Sequence, residues 1–172
     1  MIVKHKIDNR EVDALMKRLD RSMRNLDEPL RDIGDVLENS IMENFDVGGR
    51  PRKWPDLSKV TKRARAKKGK WPGKIGQVSG QLVNSIAAQP PRGLSVKVTH
   101  GKEYGDHFHY GTQQKVTKKQ QKWLGLNLGM WRRVGDTIKN PPRPFMVIQD
   151  EDVKEAEVIL IDHLRRAIKG VR

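Results

Sequence analysis

The side chains best suited to chemistry in this sequence lie near its middle: His100, His107 and His109, with Asp106 among them. On a strand, His107 and His109 would share one face, whereas on a helix they would point about 200° apart. No His-Glu-x-x-His spacing supplies a further ligand. The pattern therefore favours a surface or interface role for these histidines over a metal site.

The patterns typical of nucleophilic catalysis and of phosphate binding are missing as well. Ser79 and Ser85 lack the Gly-x-Ser-x-Gly elbow. Gly101-Lys102 lacks Walker spacing, and the glycines at 48–49 do not follow a predicted strand. The chain has no cysteine, which excludes disulfides, a thiol nucleophile and thiolate metal ligands. We therefore predict a protein that is not an enzyme and has no cofactor.

Apolar spacing predicts the elements at the two ends of the chain. A short strand is expected at 2–7, followed by helices over 10–26 and 29–45, and by a final helix that begins at the acidic run 150–152. In each helix the apolar side chains form one stripe, which predicts packing against a core. The stripes are Val12, Leu15, Met16, Leu19, Met23 and Leu26; Leu30, Ile33, Leu37, Ile41 and Phe45; and Val153, Ala156, Leu160, Leu164, Ala167 and Val171.

The middle of the chain predicts a small antiparallel sheet. The alternating segments 85–89 and 94–99 are spaced for a hairpin. A short helix that ends before Gly111 is expected at 103–110, and a helix-like piece at 118–128. The apolar segment 145–148 predicts a short strand or an anchor.

These elements predict a single α+β domain over 1–172, with N-terminal helices and a C-terminal helix packed on a small antiparallel sheet and with long basic loops. Hydrophobic residues make up 35% of the chain and charged residues 33%, with a mean hydropathy of -0.75, which is enough apolar material for a modest core. The apolar runs are too short for a membrane-spanning helix, and the first ten residues lack an apolar stretch of signal-peptide length.

One segment, 46–77, has no periodicity and is predicted to be an extended basic loop rich in Trp, Pro and Gly. A structureless loop of this length in a small domain is uncommon and indicates function or disorder. Trp54 and Trp71 argue against disorder, because disordered segments rarely contain large aromatic side chains. We expect this loop to become ordered against something outside its own protomer.

Charge is concentrated in two segments. The chain has 35 Lys and Arg against 21 Asp and Glu, for a net charge of +14. Residues 50–74 have a net charge of +10 and residues 115–143 have +7, so the remainder is slightly acidic. Such segments attract nucleic acid or an acidic protein surface, although solvated loops explain them equally well.

Three motifs in this order resemble one known family. The first is Phe45-Asp-Val-Gly-Gly-Arg-Pro-Arg-Lys-Trp54-Pro-Asp-Leu-Ser58, and the second is Ser79-Gly-Gln-Leu82-Val-Asn-Ser-Ile86. The third combines Tyr104-Gly-Asp-His-Phe-His-Tyr-Gly111 with Pro142-Arg-Pro-Phe145 before an acidic helix start. This pattern is similar to the phage virion morphogenesis family, which comprises tail-completion or head–tail joining proteins of tailed phages, including Mu-like phages. Where that family commonly has Tyr-Ala and His-Gln, this chain has Tyr104-Gly105 and His109-Tyr110, and it carries a basic insertion at 113–143.

The resemblance implies a structural virion assembly protein at the head–tail junction, which completes the tail or builds the neck as a ring and has no catalytic residues. The implied partners are further copies of the chain, with a hexameric ring expected, and the head–tail connector, tail terminator or tail tube proteins. Contact with genomic DNA is a lesser expectation, and no membrane contact is expected. The implied location is the virion, after assembly in the bacterial cytoplasm. The alternative is a basic nucleic-acid-binding protein.

The residues expected to contact partners come from the two basic segments and the third motif. They are Arg50, Arg52, Lys53, Trp54, Lys62, Arg63, Arg65, Lys67, Lys68, Trp71, His107, His109, Arg143 and Phe145. We also expect five apolar side chains to anchor loops either to the core or to a neighbouring subunit, namely Phe45, Trp54, Leu57, Leu82 and Phe145.

Overall fold

The computed structural model describes residues 9–169, so the strand predicted at 2–7 and the stripe residue Val171 lie outside the described residues. The described part is α+β, as predicted. Its elements are α1 (Arg10–Arg24), α2 (Asp27–Val47), α3 (Lys59–Lys67), β1 (Ile86–Arg92), β2 (Ser95–His100), α4 (Tyr104–Tyr110), β3 (Thr112–Lys115), α5 (Lys118–Leu128), β4 (Thr137–Asn140) and α6 (Asp150–Lys169), with a 3₁₀ turn at Val83–Ser85.

Helix α2 is the centre of the fold. Asp27 and Glu28 lie in its first turn, where carboxylates stabilise the positive end of the helix dipole. The helix ends at Gly48, whose φ of 77° is a conformation that glycine adopts without strain. The predicted apolar stripe of α2 faces the hairpin and α6, which confirms this helix as part of the core. The main buried cluster is Ile41, Phe45, Trp54, Leu82, Ile86 and Phe145.

The predicted hairpin is confirmed, and it packs directly on α2. Strands β1 and β2 pair antiparallel in a register that places Ala88 opposite Val98. A Cβ at Gly34 of α2 would lie only 2.9 Å from Val96 Cγ2, so glycine allows the helix to approach the sheet closely. Pro90 and Pro91, expected in the turn, lie within β1 at an irregularity in the pairing, because proline cannot donate to a ladder.

Helix α1 forms as predicted, but its stripe is only partly covered. Leu15 and Leu19 are half-buried, while Val12, Met16 and Met23 are more than half exposed. The helix lies at the edge of the fold and packs on α6, where Ser22 O lies 3.2 Å from His163 Nε2. The prediction that the whole stripe is core is therefore wrong, because a single neighbouring helix covers only one side of it. No helix in residues 9–169 is long and apolar enough to cross a membrane.

Residues 112–140 fold into a lobe, a name kept below for β3, α5 and β4 with their connections. Strands β3 and β4 pair antiparallel, with Thr112 opposite Asn140. The helix between them is the one predicted at 118–128, and it begins with a reciprocal cap between Thr117 and Gln120. Two apolar side chains of the lobe, Val116 and Leu124, are buried. The basic insertion is therefore an ordered β-α-β unit.

Candidate interaction surface

The first expected anchor, Trp54, lies in the core of its own protomer. Its ring packs edge-on against Phe45 and Phe108, with centroid distances of 5.2 and 5.4 Å. Its indole Nε1 donates a hydrogen bond to the Pro144 carbonyl at 2.7 Å. A Cβ at Gly49 would lie 2.6 Å from the Trp54 ring, so the glycine lets the indole close over the end of α2. Of the two anchoring roles predicted for Trp54, the structure shows the one within the protomer.

Phe145 and Arg143 are also internal. Phe145 is fully buried, and its carbonyl accepts a hydrogen bond from Asn44 Nδ2 at 2.8 Å. Arg143 donates to the carbonyls of Pro55 and Asp56 at 3.0 and 3.3 Å. Burial lowers the pKa of the Arg143 guanidinium, and the nearby Arg65 lowers it further. Both side chains therefore join the segment after Trp54 to the segment before α6, and neither is exposed to a partner.

Arg50, which we expected to bind a partner, instead links three parts of the chain. Its guanidinium donates to the carbonyl and hydroxyl oxygens of Ser40 at 2.8 and 2.6 Å and to Asn44 Oδ1 at 2.9 Å. It also pairs with Glu43 at 2.6 Å and with Glu151 of α6 at 2.8 Å. Only 18% of its side chain is exposed. The donors of this fork are thus used within the protomer, and the partner-binding role of Arg50 stays a prediction.

The Ser40 hydroxyl continues this network into α6. It donates to Asp152 Oδ2 at 2.8 Å, and the same carboxylate oxygen accepts from the Gln149 amide at 2.7 Å. Asp152 is buried, so these hydrogen bonds compensate a carboxylate that has lost its water. The network therefore fixes the start of α6 against the end of α2.

The segment 46–77 is more ordered than the sequence predicted. Ser58 caps α3, since its Oγ accepts from the Thr61 amide at 3.1 Å. Lys74 Nζ pairs with Asp46 Oδ1 at 2.7 Å and ties the far end of the segment to α2. Helix α3 has three apolar residues, and only Val60 and Ala64 are at helical spacing, which is too weak a pattern to indicate a helix. The segment therefore contains a capped helix and contacts α2 of its own protomer.

Part of the positive charge on α3 is held by contacts within the segment. Lys62 pairs with Asp56 and lies over the half-buried Trp71 ring, 5.2 Å from its centroid. The hydrogen bond from Lys62 is the main reason why the pKa of Asp56 is lowered. Arg65 is half-buried and donates to the Lys74 carbonyl at 3.4 Å. The contacts of Lys62, Arg65 and Trp71 therefore stabilise the segment within the protomer. These side chains are less available to a partner than the exposed lysines and arginines.

The remaining predicted basic residues form an exposed surface. Arg63, Lys67 and Lys68 are exposed and make no ion pair with any residue of the described chain. Arg52 and Lys53 are exposed as well, and Lys53 donates to the Val47 carbonyl at 2.6 Å. Helix α3 contacts α5 of the lobe, so the structure brings the two basic segments together. The two basic segments are therefore adjacent in the structure.

The histidine group does not form a metal site in residues 9–169, where no cluster of three or more His, Cys, Asp or Glu could hold an ion. His107 is exposed. The Nδ1 of His109 accepts from the amides of Phe145 and Met146 at 3.3 and 3.4 Å, which places the proton on Nε2. Burial lowers the pKa of His109, and the nearby His100 adds to this effect. His109 is therefore a neutral side chain that positions the segment before α6.

The structure explains why residue 105 of this chain is glycine. A Cβ at Gly105 would lie 2.5 Å from His100 Cε1, so the His100 ring occupies the space that an alanine would need. His100 in turn lies 3.3 Å from the Asp106 carboxylate. The departure from the common Tyr-Ala pair is therefore linked to a histidine at position 100.

Sequence reasoning missed a second set of surface residues. Trp123, Leu126 and Trp131 of the lobe are exposed by 56%, 68% and 70%. On α6, Val158 and Ile161 are about half exposed. Trp123 and Leu126 were not recognised because apolar side chains at helical spacing are normally core. One sequence pattern could have identified these residues. Helix α5 has apolar residues on two opposite faces, and folding needs only one of these faces.

The comparisons with known proteins agree with the order of motifs. Neither the curated proteins nor the solved structures include a significant match to this chain. The sequence model of the phage virion morphogenesis family matches residues 7–165, which is nearly the whole chain. That match takes in the α2 core, the Trp54 and Phe145 anchors, the lobe and most of α6. The chain belongs to the phage virion morphogenesis family.

Proposed function

We propose that this protein is a structural component of the phage head–tail junction, where a ring of identical subunits completes the tail or joins it to the head. Membership of the phage virion morphogenesis family supports a role in virion assembly. The proposal goes beyond that support in three respects, namely the position at the neck, the ring of subunits and a role without catalysis. Assembly would take place in the bacterial cytoplasm, with the connector, the tail terminator or the tail tube as neighbours.

The observation that carries this proposal is the contact between helix α3 and the lobe, both of which expose lysine or arginine side chains. Arg50, Trp54, Arg143 and Phe145 hold the surrounding segments rigidly within the protomer, so the surface is preformed. Arg63 and Lys67 are four residues apart on α3 and therefore lie on the same helix face. A preformed cationic surface suits docking on an acidic protein rim, where charges mainly set the encounter rate and the specificity.

Reversing two charges on α3 is expected to block joining of heads to tails without unfolding the subunit. The variant is Arg63→Glu with Lys67→Glu, because both side chains are exposed. Exposed substitutions change stability by only about 0.5 kcal/mol. We expect infectious particles to fall about tenfold or more, since the surface would repel an acidic partner. The measurement is complementation of a phage that lacks the gene, with separate heads and tails counted by electron microscopy.

The matched control is Arg92→Glu with Lys97→Glu on the hairpin, which reverses two exposed charges away from α3. This variant is expected to complement normally. Normal complementation by the α3 variant as well would show that the basic surface of α3 is not a docking surface.

A nucleic-acid-binding function is the second candidate. The exposed Trp123 ring beside Lys119 and Lys122 of α5 favours it, because such a ring can stack on a base. Binding to duplex DNA would then weaken steeply with salt as counterions are released. A steep salt slope that is lost in the α3 variant, together with normal joining of heads and tails, would favour this function over docking.

A further inference from the structure

The lobe presents apolar surface that its own folding does not use. In α5 Leu124 is buried, while Trp123 and Leu126, three residues apart, are exposed on one side of the helix. Trp131 lies over the α5 backbone at Gly125, where a Cβ would meet its ring at 2.6 Å, and its ring, 70% exposed, is a separate surface because position 125 is about 200° around the helix from Trp123. Clustered tryptophan and leucine at a surface are typical of a protein interface.

This apolar surface is surrounded by positive charge. Lys118, Lys119 and Lys122 on α5 and the pair Arg132-Arg133 are exposed. None of them forms an ion pair with another residue between 9 and 169. Asp136, the single acid of residues 115–143, instead accepts a hydrogen bond from the Arg133 amide at 2.9 Å. The matching surface on a partner would therefore be apolar with acidic neighbours.

The exposed side of α6 has this chemistry. Val158 and Ile161 are half exposed and lie on the side of the helix away from the inner positions Ala156, Ile159 and Leu160. Residues 150–169 contain six acids and four bases, for a net charge of -2, and five of the acids lie in residues 150–157. Among the acids, Glu155 and Glu157 are exposed and make no ion pair with a described residue.

The exposed apolar face of α1 is a poorer match. Val12, Met16 and Met23 of α1 are exposed, but residues 10–24 carry a net charge of +2. Two positive surfaces repel each other, so charge selects α6 over α1 as the surface that suits the lobe.

We propose that the lobe of one subunit docks on α6 of the next subunit, with Trp123 and Leu126 against Val158 and Ile161. The lysines of α5 would face Glu155 and Glu157. The inference rests on the proposed ring and adds the surfaces that build it. Because the two surfaces differ, the contact is heterologous, and repeating it around an axis produces a ring or an open helix.

Cysteine cross-linking tests this pairing, since the natural chain has no cysteine. The variant is Leu126→Cys with Val158→Cys, both at exposed positions. Treating the purified full-length assembly with a mild chemical oxidant such as copper phenanthroline, which accepts the two electrons of each thiol pair, is expected to give a ladder of covalent multimers, whose highest rung is the number of subunits in a closed ring. The control is Leu126→Cys with Met16→Cys, which is expected to give no ladder because α1 is not the docking surface.

Charge exchange tests the same pairing without a covalent bond. Lys119→Glu with Lys122→Glu is expected to weaken subunit association by about tenfold or more, and so is Glu155→Lys with Glu157→Lys. All four changes together are expected to restore association, which a merely structural role of these residues would not do. The mass of the full-length protein, measured by sedimentation at several concentrations, is the readout.

The outcomes separate this inference from the proposed function. An oligomeric wild-type protein with no ladder from positions 126 and 158, or with no rescue by the fourfold variant, would overturn the pairing and leave the ring intact. A wild-type protein that stays monomeric both alone and in particles would overturn the ring itself. Loss of duplex DNA binding in the Lys119 and Lys122 variant, with unchanged mass, would reassign the lobe to nucleic acid and overturn the pairing.

Discussion

Replacing Trp54 with alanine is expected to lower the free energy of unfolding by about 3–5 kcal/mol, the usual cost of removing a buried tryptophan. The ring is 6% exposed, fills the space between Phe45 and Phe108, and donates to the Pro144 carbonyl. The variant removes the packing and leaves that carbonyl without its donor. Urea unfolding followed by circular dichroism measures the loss.

A more conservative variant and a control show how much of the loss in unfolding free energy comes from packing and how much from the indole hydrogen bond. Trp54→Phe keeps most of the apolar area but not the indole donor, so we expect a loss of about 1–3 kcal/mol from the unsatisfied carbonyl and the smaller ring. Trp123→Ala removes an exposed ring and is expected to change stability by only about 0.5 kcal/mol. The contradicting outcome is a Trp54→Ala variant that unfolds like the wild type but fails in assembly. Trp54 would then be a docking residue, and its burial would not contribute to the stability of the protomer.

Arg50→Ala is expected to cost about 3 kcal/mol, because it removes a largely buried charge that satisfies several acceptors at once. The Ser40 carbonyl and hydroxyl, Asn44 Oδ1 and the carboxylates of Glu43 and Glu151 all lose a donor. Arg50→Lys is expected to recover only part of the stability, since an ammonium lacks the planar fork. Thermal and urea unfolding of both variants measure these losses.

The neighbouring Arg52 provides the control for Arg50. It is exposed and forms no ion pair in the described chain, so Arg52→Ala is expected to leave stability unchanged. Equal stability of the Arg50 and Arg52 variants would mean that the Arg50 network does not hold α2 and α6 together.

Much of the fold could be predicted because several elements have strong local signals. Helix α2 combines a full apolar stripe with acids in its first turn and a glycine at its end. Helix α5 was found at its observed bounds, and its start has a cap at Thr117. Helix α3 was missed because Val60 and Ala64 are its only pair of apolar positions at helical spacing, so its signal is dominated by lysine and arginine. The exposure of α1 was missed because a stripe does not reveal how many neighbours will cover it.

The candidate surface could be predicted only in part, because sequence does not separate a buried arginine from an exposed one. Arg50 and Arg143 belong to the same basic composition as Arg63, yet they bond to carbonyls and carboxylates of distant segments. Those partners become neighbours only when α2 and α6 are packed. The contact between α3 and α5, which joins the two basic segments, is likewise tertiary.

The most direct test of the central claim is to count joined particles in a host that grows the phage without this gene. We expect full heads and complete-looking tails in normal numbers, separate from each other, with joining restored when the purified full-length protein is added to the lysate. Restoration by the purified protein would show that it acts as a physical part of the junction. Joined, infectious particles formed without the gene would contradict a role at the head–tail junction.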